Sequence, residues 1–396
     1  MQLDFEPKKK IPLMELTRQY INIEEAINTK VLNVLKSGNY ILSEEVHKFE
    51  NKFAKYIGTK FAIGVGNGTD ALVIALKAAD IQPGDEVITS AMSFIATAEA
   101  VVTIGAIPVF VDCDIETYTI RTEKILEKIS DKTKAIIPVH LYGQCANMSE
   151  IIKIAEIYNL IVIEDCAQAT GACNNGIKAG SIGDIGCFSF FPTKNLGCAG
   201  DGGIITTDSE EIYRKCKAYR MHGGGKDGLY CYERLNGKID DVDFSDNLPK
   251  YFNFIPGYNS RLDEIQAAIL NVKLFYLDKW NKKRQDIAAK YYRRIDNKLV
   301  KLPLVSKNNT HVYYTFILLV ENRNKFKRYL NDNGISTGIY FPIPMHLQKM
   351  FVKLGFQNGD MPNAEYLAEH GIAIPMFPEL YEEEISFIIS VINNYH

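Results

Sequence analysis

Apolar runs and helical periods alternate along the first half of the chain. "FAIGV" (61–65), "EVITS" (86–90), "IPVFVD" (107–112), "AIIPVH" (135–140) and "LIVIEDC" (160–166) are short, near-continuous apolar stretches, each closed by a polar or small-residue turn. Such runs predict strands buried on both faces. Between them, residues 69–79 and "FIATAEAVVTIG" (94–105) show helical spacing, as do Val46, Phe49, Phe53 and Tyr56 after Ser43, a predicted N-cap. The alternation predicts an α/β fold with a mostly parallel sheet and right-handed crossovers. Ligands in such sheets bind beyond the carboxyl ends of the strands. The residues to watch are therefore Gly66–Thr69, Ser93–Phe94, His140, Asp165 and Lys194.

From about Ser260 the pattern changes. "SRLDEIQAAILNVKLFYLDKWNKKRQDIAAKYYRRI" reads as one long helix, "HVYYTFILLV" (311–320) as a strand, and about 324–333 and 382–394 as helices. The predicted organisation is an N-terminal segment and large domain over 1–260, then a long connecting helix and a smaller α+β domain over 261–396. Residues 226–256 are polar and irregular, and are expected to form a loop or insertion.

Composition narrows the function classes. The chain has 396 residues, is 46% hydrophobic and carries a formal charge of −3. It shows no basic stripe, so nucleic acid is not an expected partner, and Lys8-Lys9-Lys10 reads as a solvated tail. No stretch of about 18 uncharged apolar residues occurs, and residues 1–12 lack a signal-peptide pattern. A soluble cytoplasmic protein is expected. The 8 cysteines form no C-x-x-C pair and the 7 histidines no H-E-x-x-H, so no metal is expected and the thiols read as reduced and buried.

Three strand ends carry candidate chemistry. In "GVGNGTDALVIAL" a strand runs into Gly64, Gly66 and Gly68, and a helix opens at Thr69. A helix N-terminus reached through glycines suits a phosphate, although a plain tight turn would look the same. In "VIEDCAQATGA", Asp165 ends an apolar strand, either as a helix N-cap before Ala167 or as a carboxylate facing a protonated ring nitrogen, with Gln168 three residues on. In "CFSFFPTKNLGCAGDGG", Phe188, Phe190 and Phe191 read as a buried strand leading to Lys194, and Ser189 on that strand can donate to a phosphate. A desolvated lysine amine is a nucleophile that can form a Schiff base. Phosphate cradle, carboxylate and lysine are together what pyridoxal 5′-phosphate requires, and Phe94 can stack on its ring.

These motifs carry a resemblance. With "SGNYILSEEVHKFENKFAKYIG", "GDEVIT", "SFIATAEA", "GAIPVFVD", "GYNSRLDEIQAAIL" and "MPNAEYLAEHGIAIPM", the chain resembles the DegT/DnrJ/EryC/StrS family of pyridoxal-phosphate-dependent sugar aminotransferases over nearly its whole length. The resemblance implies the aspartate-aminotransferase-like fold, with a seven-stranded, mostly parallel sheet flanked by helices. It places Lys194 as the Schiff-base lysine, Asp165 at the pyridine nitrogen and Gln168 near the ring hydroxyl. Gly68, Thr69 and Ser189 take the phosphate, and Phe94 the ring-stacking position. Asn259 is implied to reach the phosphate from a second subunit, which makes the expected protein a homodimer with shared sites.

The reaction so implied moves the amino group of glutamate, by way of pyridoxamine phosphate, onto a keto sugar. "NGTDAL" and "GDMPNAEYLAE" resemble members that aminate C-3 of dTDP- or UDP-linked 3-keto sugars, in making amino sugars for surface polysaccharide such as O-antigen. A 4-keto nucleotide sugar or a non-nucleotide keto or aldehydo sugar acid is the alternative acceptor. His346, Arg261 and Tyr340 are candidate substrate contacts; a plain loop histidine and a surface salt bridge are the other readings of the first two. Related dehydratases replace the lysine by histidine, and a non-catalytic regulator would be expected to lose the Lys–Asp pair. This chain has both residues.

Overall fold

The computed structural model describes residues 10–237 and 251–396. The predicted strand runs form β1 (Phe61–Val65), β2 (Glu86–Ser90), β3 (Ile107–Val111), β4 (Thr133–Ile137) and β5 (Ile161–Asp165). A two-residue hairpin, β6 (Cys173–Asn174) and β7 (Ile177–Lys178), precedes β8 (Ile185–Ser189) and β9 (Gly203–Thr207). Without that hairpin these strands make one 7-stranded sheet in the order β1-β9-β8-β5-β4-β2-β3. Neighbours are parallel except around β9, which runs antiparallel to both β1 and β8.

The near-continuous apolar runs exist because both faces of this sheet are covered. Successive residues go to opposite sides: Val87, Ile137 and Ile163 join one core, and Ile88, Ile136 and Val162 join another. The helices that supply the covers are α1 (Leu16–Ile21), α2 (Glu24–Ser37), α3 (Glu44–Ile57), α4 (Gly68–Ala78), α5 (Ala96–Thr103), α6 (Thr122–Ile125), α7 (Met148–Tyr158) and α8 (Glu210–Arg220). Helix α4 is apolar nearly all round, because it lies under the sheet and against α5 and α8.

Ser43 precedes α3 as expected, but its hydroxyl does not cap it. The carboxylate of Glu264 does so instead, accepting from the N–H groups of Ser43 at 2.6 Å, Glu45 at 2.8 Å and Val46 at 3.1 Å. The segment expected to be irregular from 226 opens as a helix, α9 (Gly225–Asn236), with Gly228 and Cys231 buried. The rest of that expectation, from 238 to 250, lies outside the described residues.

The long helix is α10 (Glu264–Arg294). Its first half packs Ala267, Leu270 and Leu277 with α3 and the lysine-bearing segment, and its second half sends Ile287, Ala288 and Tyr291 into a separate core. That second core holds β11 (Phe316–Leu319), β12 (Gly371–Ile374), α11 (Arg323–Asp332) and α13 (Glu382–Asn393), and Ile11 from the N-terminal segment joins it. Helix α12 (Pro362–His370) leads into β12, and β10 (Asn309–Thr310) pairs with β6. Of the strand expected over 311–320 only Phe316–Leu319 pairs, antiparallel to β12. No helix among the described residues is long and apolar enough to cross a membrane.

Candidate active site

A cavity of about 420 Å³ opens beyond the carboxyl ends of β1, β5 and β8. Gly68, Thr69, Phe94, Asp165, Gln168, Ser189, Lys194 and Tyr340 all line it. On one wall, β1 turns into α4 through Asn67, whose side chain caps the helix by accepting from Asp70 N at 2.8 Å. The Gly68 and Thr69 N–H groups belong to the first turn, which has no intrahelical acceptors. A Cβ at Gly68 would sit 2.7 Å from Ser189 Cβ, so only glycine lets the helix start approach β8 this closely. Ser260 locks the turn from outside the cavity: its Oγ accepts from Gly66 N at 2.9 Å and donates to Asp70 at 2.6 Å.

On the opposite wall, Asp165 is 6% exposed. Its Oδ2 accepts from the Thr97 hydroxyl at 2.7 Å and its Oδ1 from Ala167 N at 3.1 Å; the second bond closes a turn, since no helix follows β5 here and the expected N-cap role does not arise. Thr97, on α5, is in turn 2.8 Å from Ser93 Oγ, so a hydroxyl relay runs from Asp165 through α5 to Ser93, which precedes that helix. Gln168 is fixed through its Oε1, which accepts from Tyr142 N at 2.7 Å and leaves the amide Nε2 for a ligand.

Lys194 follows β8 on a tight turn in which its own N–H bonds to Phe191 O at 2.8 Å. No carboxylate pairs with its amine among the described residues. Its Nζ instead lies over the ring of Tyr314, 4.6 Å from the centroid. Phe191, expected in a buried strand, is past the end of β8, 49% exposed, and lines the cavity. Phe94 is 53% exposed at the mouth, with its ring 5.7 Å from that of Phe341. Burial pushes the Tyr340 phenol upward, so it is present as a neutral hydroxyl.

Three candidates lie away from this cavity within one chain. His346 is buried in a short 3₁₀ turn, does not line the cavity, and lies 3.0 Å from Glu365 Oε1. Arg261 precedes α10 and makes no ion pair among the described residues; its Nη1 lies 3.7 Å from the Met221 sulfur. Asn259 is exposed and does not line the cavity, although its neighbour Ser260 secures the turn. Sequence reasoning missed Tyr314, Phe341 and Thr97. Each enters the site from an element whose local pattern carries only packing signals.

A buried group of His140, Glu164 and Cys166 brings three potential metal ligands within 4.8 Å. The carboxylate of Glu164 and the ring of His140 are already engaged. Glu164 accepts from Gly180 N, Ile182 N and Gly183 N at 2.9, 2.8 and 2.7 Å and meets His140 Nε2 at 2.8 Å, while His140 Nδ1 accepts from Ala146 N at 3.2 Å. The group is a structural lock under the end of β5.

The model of the DegT/DnrJ/EryC1/StrS aminotransferase family matches residues 21–393. The chain is 43% identical over 385 residues to the dTDP-3-amino-3,6-dideoxy-α-D-galactopyranose transaminase of Aneurinibacillus thermoaerophilus, covering 97% of this chain and 99% of that protein. It is 41% identical over 389 residues, 98% of each chain, to a pleiotropic regulatory protein of Geobacillus stearothermophilus. The solved structure of S. venezuelae DesV superposes with a TM-score of 0.90 at 33% identity, covering 98% of each chain.

Proposed function

The chain belongs to the DegT/DnrJ/EryC1/StrS aminotransferase family, and from that premise we propose that it moves the amino group of glutamate onto a nucleotide-linked 3-keto sugar. The family works with pyridoxal 5′-phosphate. The residues around the cavity fit that group: a glycine whose Cβ would collide with Ser189, first-turn N–H groups, a buried carboxylate and an amine without an ion pair among the described residues. The cofactor, when bound, supplies a ring that withdraws electrons from the carbon losing its proton.

Within this reading the chain's own residues divide the work. Gly68 and Thr69 N–H groups, with the Ser189 hydroxyl, hold the phosphate, and Asn259 of a second subunit completes that hold in a homodimer. Asp165, oriented by Thr97 and Ala167 N, keeps a proton on the pyridine nitrogen. Gln168 donates to the ring hydroxyl, and Phe94 covers the ring. Lys194 would hold the cofactor and, once its amine is free, would serve as the base that moves the proton at the substrate carbon. Tyr340 and the Phe94–Phe341 mouth take the sugar. The products are 2-oxoglutarate and an amino sugar.

The observation that carries this reading is Lys194, an amine with no ion-pair partner among the described residues, in a cavity shared with a buried carboxylate and a glycine-lined helix start. The same pair speaks for catalysis over regulation, whatever the name of the Geobacillus relative, because a binding protein has no use for it. For the acceptor, the Aneurinibacillus relative's name supports a dTDP-linked 3-keto sugar, with the product serving a surface polysaccharide such as O-antigen; UDP-linked and 4-keto sugars are the comparison substrates. A cytoplasmic location follows from a nucleotide-sugar substrate. Purified protein is expected to absorb at the edge of the visible range and to be bleached by glutamate, and Lys194→Ala to do neither. Turnover of keto sugar by Lys194→Ala would end the lysine assignment. Equal or faster glutamate-dependent amination of 4-keto donors would end the C-3 assignment.

A further inference from the structure

Helix α10 carries a row of buried polar side chains on the face that looks toward the site. Lys273 Nζ donates to Gly197 O at 2.7 Å, in the loop that follows Lys194. Arg284 Nη1 donates to Tyr313 O at 3.1 Å and Met376 O at 2.7 Å, fixing the segment that presents Tyr314. Between them, Asn281 Nδ2 donates to Thr170 O at 3.0 Å, on the turn that follows Asp165 and Gln168. Asn281 Oδ1 accepts from Asn195 Nδ2 at 2.8 Å, and that amide also donates to Val312 O at 2.9 Å. Asn195 is the next residue after Lys194. One pair of amides thus ties together the three segments bearing Lys194, the Asp165–Gln168 turn and Tyr314.

The pair is an expensive way to fill space. Asn281 and Asn195 are 5% and 4% exposed, and Asn195 Oδ1 is buried with no partner. Gly171, at φ +89°, is needed for the contact, since a Cβ there would lie 2.6 Å from Asn281 Nδ2. Apolar side chains would fill the volume without an orphaned oxygen, but they would not fix distances between three loops.

We propose that Asn281, acting through Asn195, is a positioning residue that sets Lys194 against the Asp165 wall. The proposal rests on the assignment of Lys194 as cofactor anchor. Asn271 on the same helix is a matched control: it is 8% exposed, donates to Glu45 O and Glu45 Oε2 at 2.9 Å each, has a buried Oδ1 without a partner among the described residues, and does not line the cavity.

The test compares Asn281→Ala with Asn271→Ala in the full chain. The rate at which added pyridoxal phosphate becomes covalently attached to Lys194 is read by borohydride capture and peptide mass. Affinity for 4-deoxypyridoxine phosphate, which lacks the aldehyde, reports the cradle alone, and the thermal midpoint of the cofactor-free protein reports the fold. Expected is at least a tenfold slower attachment in Asn281→Ala, an analogue affinity within threefold of wild type, and a midpoint loss matching that of Asn271→Ala, whose attachment rate stays within twofold of wild type. Asn195→Ala, approached from the other side of the pair, is expected to behave like Asn281→Ala and serves if that variant does not fold. Attachment slowed alike in the Asn271 and Asn281 variants, or in neither, overturns the inference alone. A wild-type chain that captures no pyridoxal phosphate overturns the anchor assignment with it.

Discussion

At the residue scale the site depends on very short approaches. Gly68 is the clearest case, because the helix start and Ser189 are in contact across the space a side chain would need. Gly68→Ala forces α4 and β8 apart and disturbs the first-turn N–H groups and the Ser189 hydroxyl together. We expect the variant to fold and to bind pyridoxal phosphate at least tenfold more weakly, about 1.4 kcal/mol, in an equilibrium titration of the cofactor-free protein. Unchanged affinity would remove the phosphate from this turn. Much of the site was legible in the sequence at this scale: Gly68, Thr69, Phe94, Asp165, Gln168, Ser189 and Lys194 all converge on one cavity. They were legible because strand ends in a parallel sheet share one side of the molecule. Tyr314 was not. Its contact with Lys194 is set by the docking of the segment after β10 onto α10, which no local pattern reports.

At the scale of the element, α10 ties the structure together, and it shows where local rules stop. Ser43 had the residue type of a cap, yet the three N–H groups at the start of α3 converge on Glu264, 221 residues away from Ser43. Glu264→Ala leaves those donors, one buried and two half-buried, without their acceptor and is expected to lower stability by about 2 kcal/mol in chemical denaturation; a loss under about 0.5 kcal/mol would show that water replaces the carboxylate. The reversed strand β9 escaped notice for a related reason: "GIITT" is short, and its pairing with β1 joins distant parts of the chain. Lys273 gives α10 a signature in pH. Burial holds its ammonium down at about 8, against an ordinary 10.5. Between those values the unfolded chain keeps a proton that the folded chain has released. The cost of the buried charge is therefore full below pH 8 and fades as pH rises toward 10.5. The stability of wild type relative to Lys273→Met should rise across that window, by on the order of 2 kcal/mol. A difference that stays flat with pH would mean the ammonium is solvated.

At the scale of the whole molecule, one chain leaves its proposed site incomplete. Among the described residues the cavity's lining includes a single cation, Lys194, against a phosphate, glutamate and a nucleotide-linked sugar. Asn259, assigned to the phosphate, is exposed and is not among the residues that line this chain's cavity. The surface also carries apolar side chains that a lone chain would keep from water: Ile21, Leu32, Ile41 and Phe275 are 63%, 51%, 45% and 85% exposed. A twofold partner would cover these faces and bring its own Asn259 to the first chain's cradle, because in such an interface each chain gives what it receives. This predicts complementation. Lys194→Ala and Asn259→Ala homodimers should each be nearly inactive. After mixing and subunit exchange, half of the dimers pair one variant with the other, and one site in each such dimer has both residues intact. Activity should then return to about a quarter of wild type. Activity no greater than the sum of the two separate variants, in a mixture shown by native mass spectrometry to have exchanged subunits, would place Asn259 outside its neighbour's site.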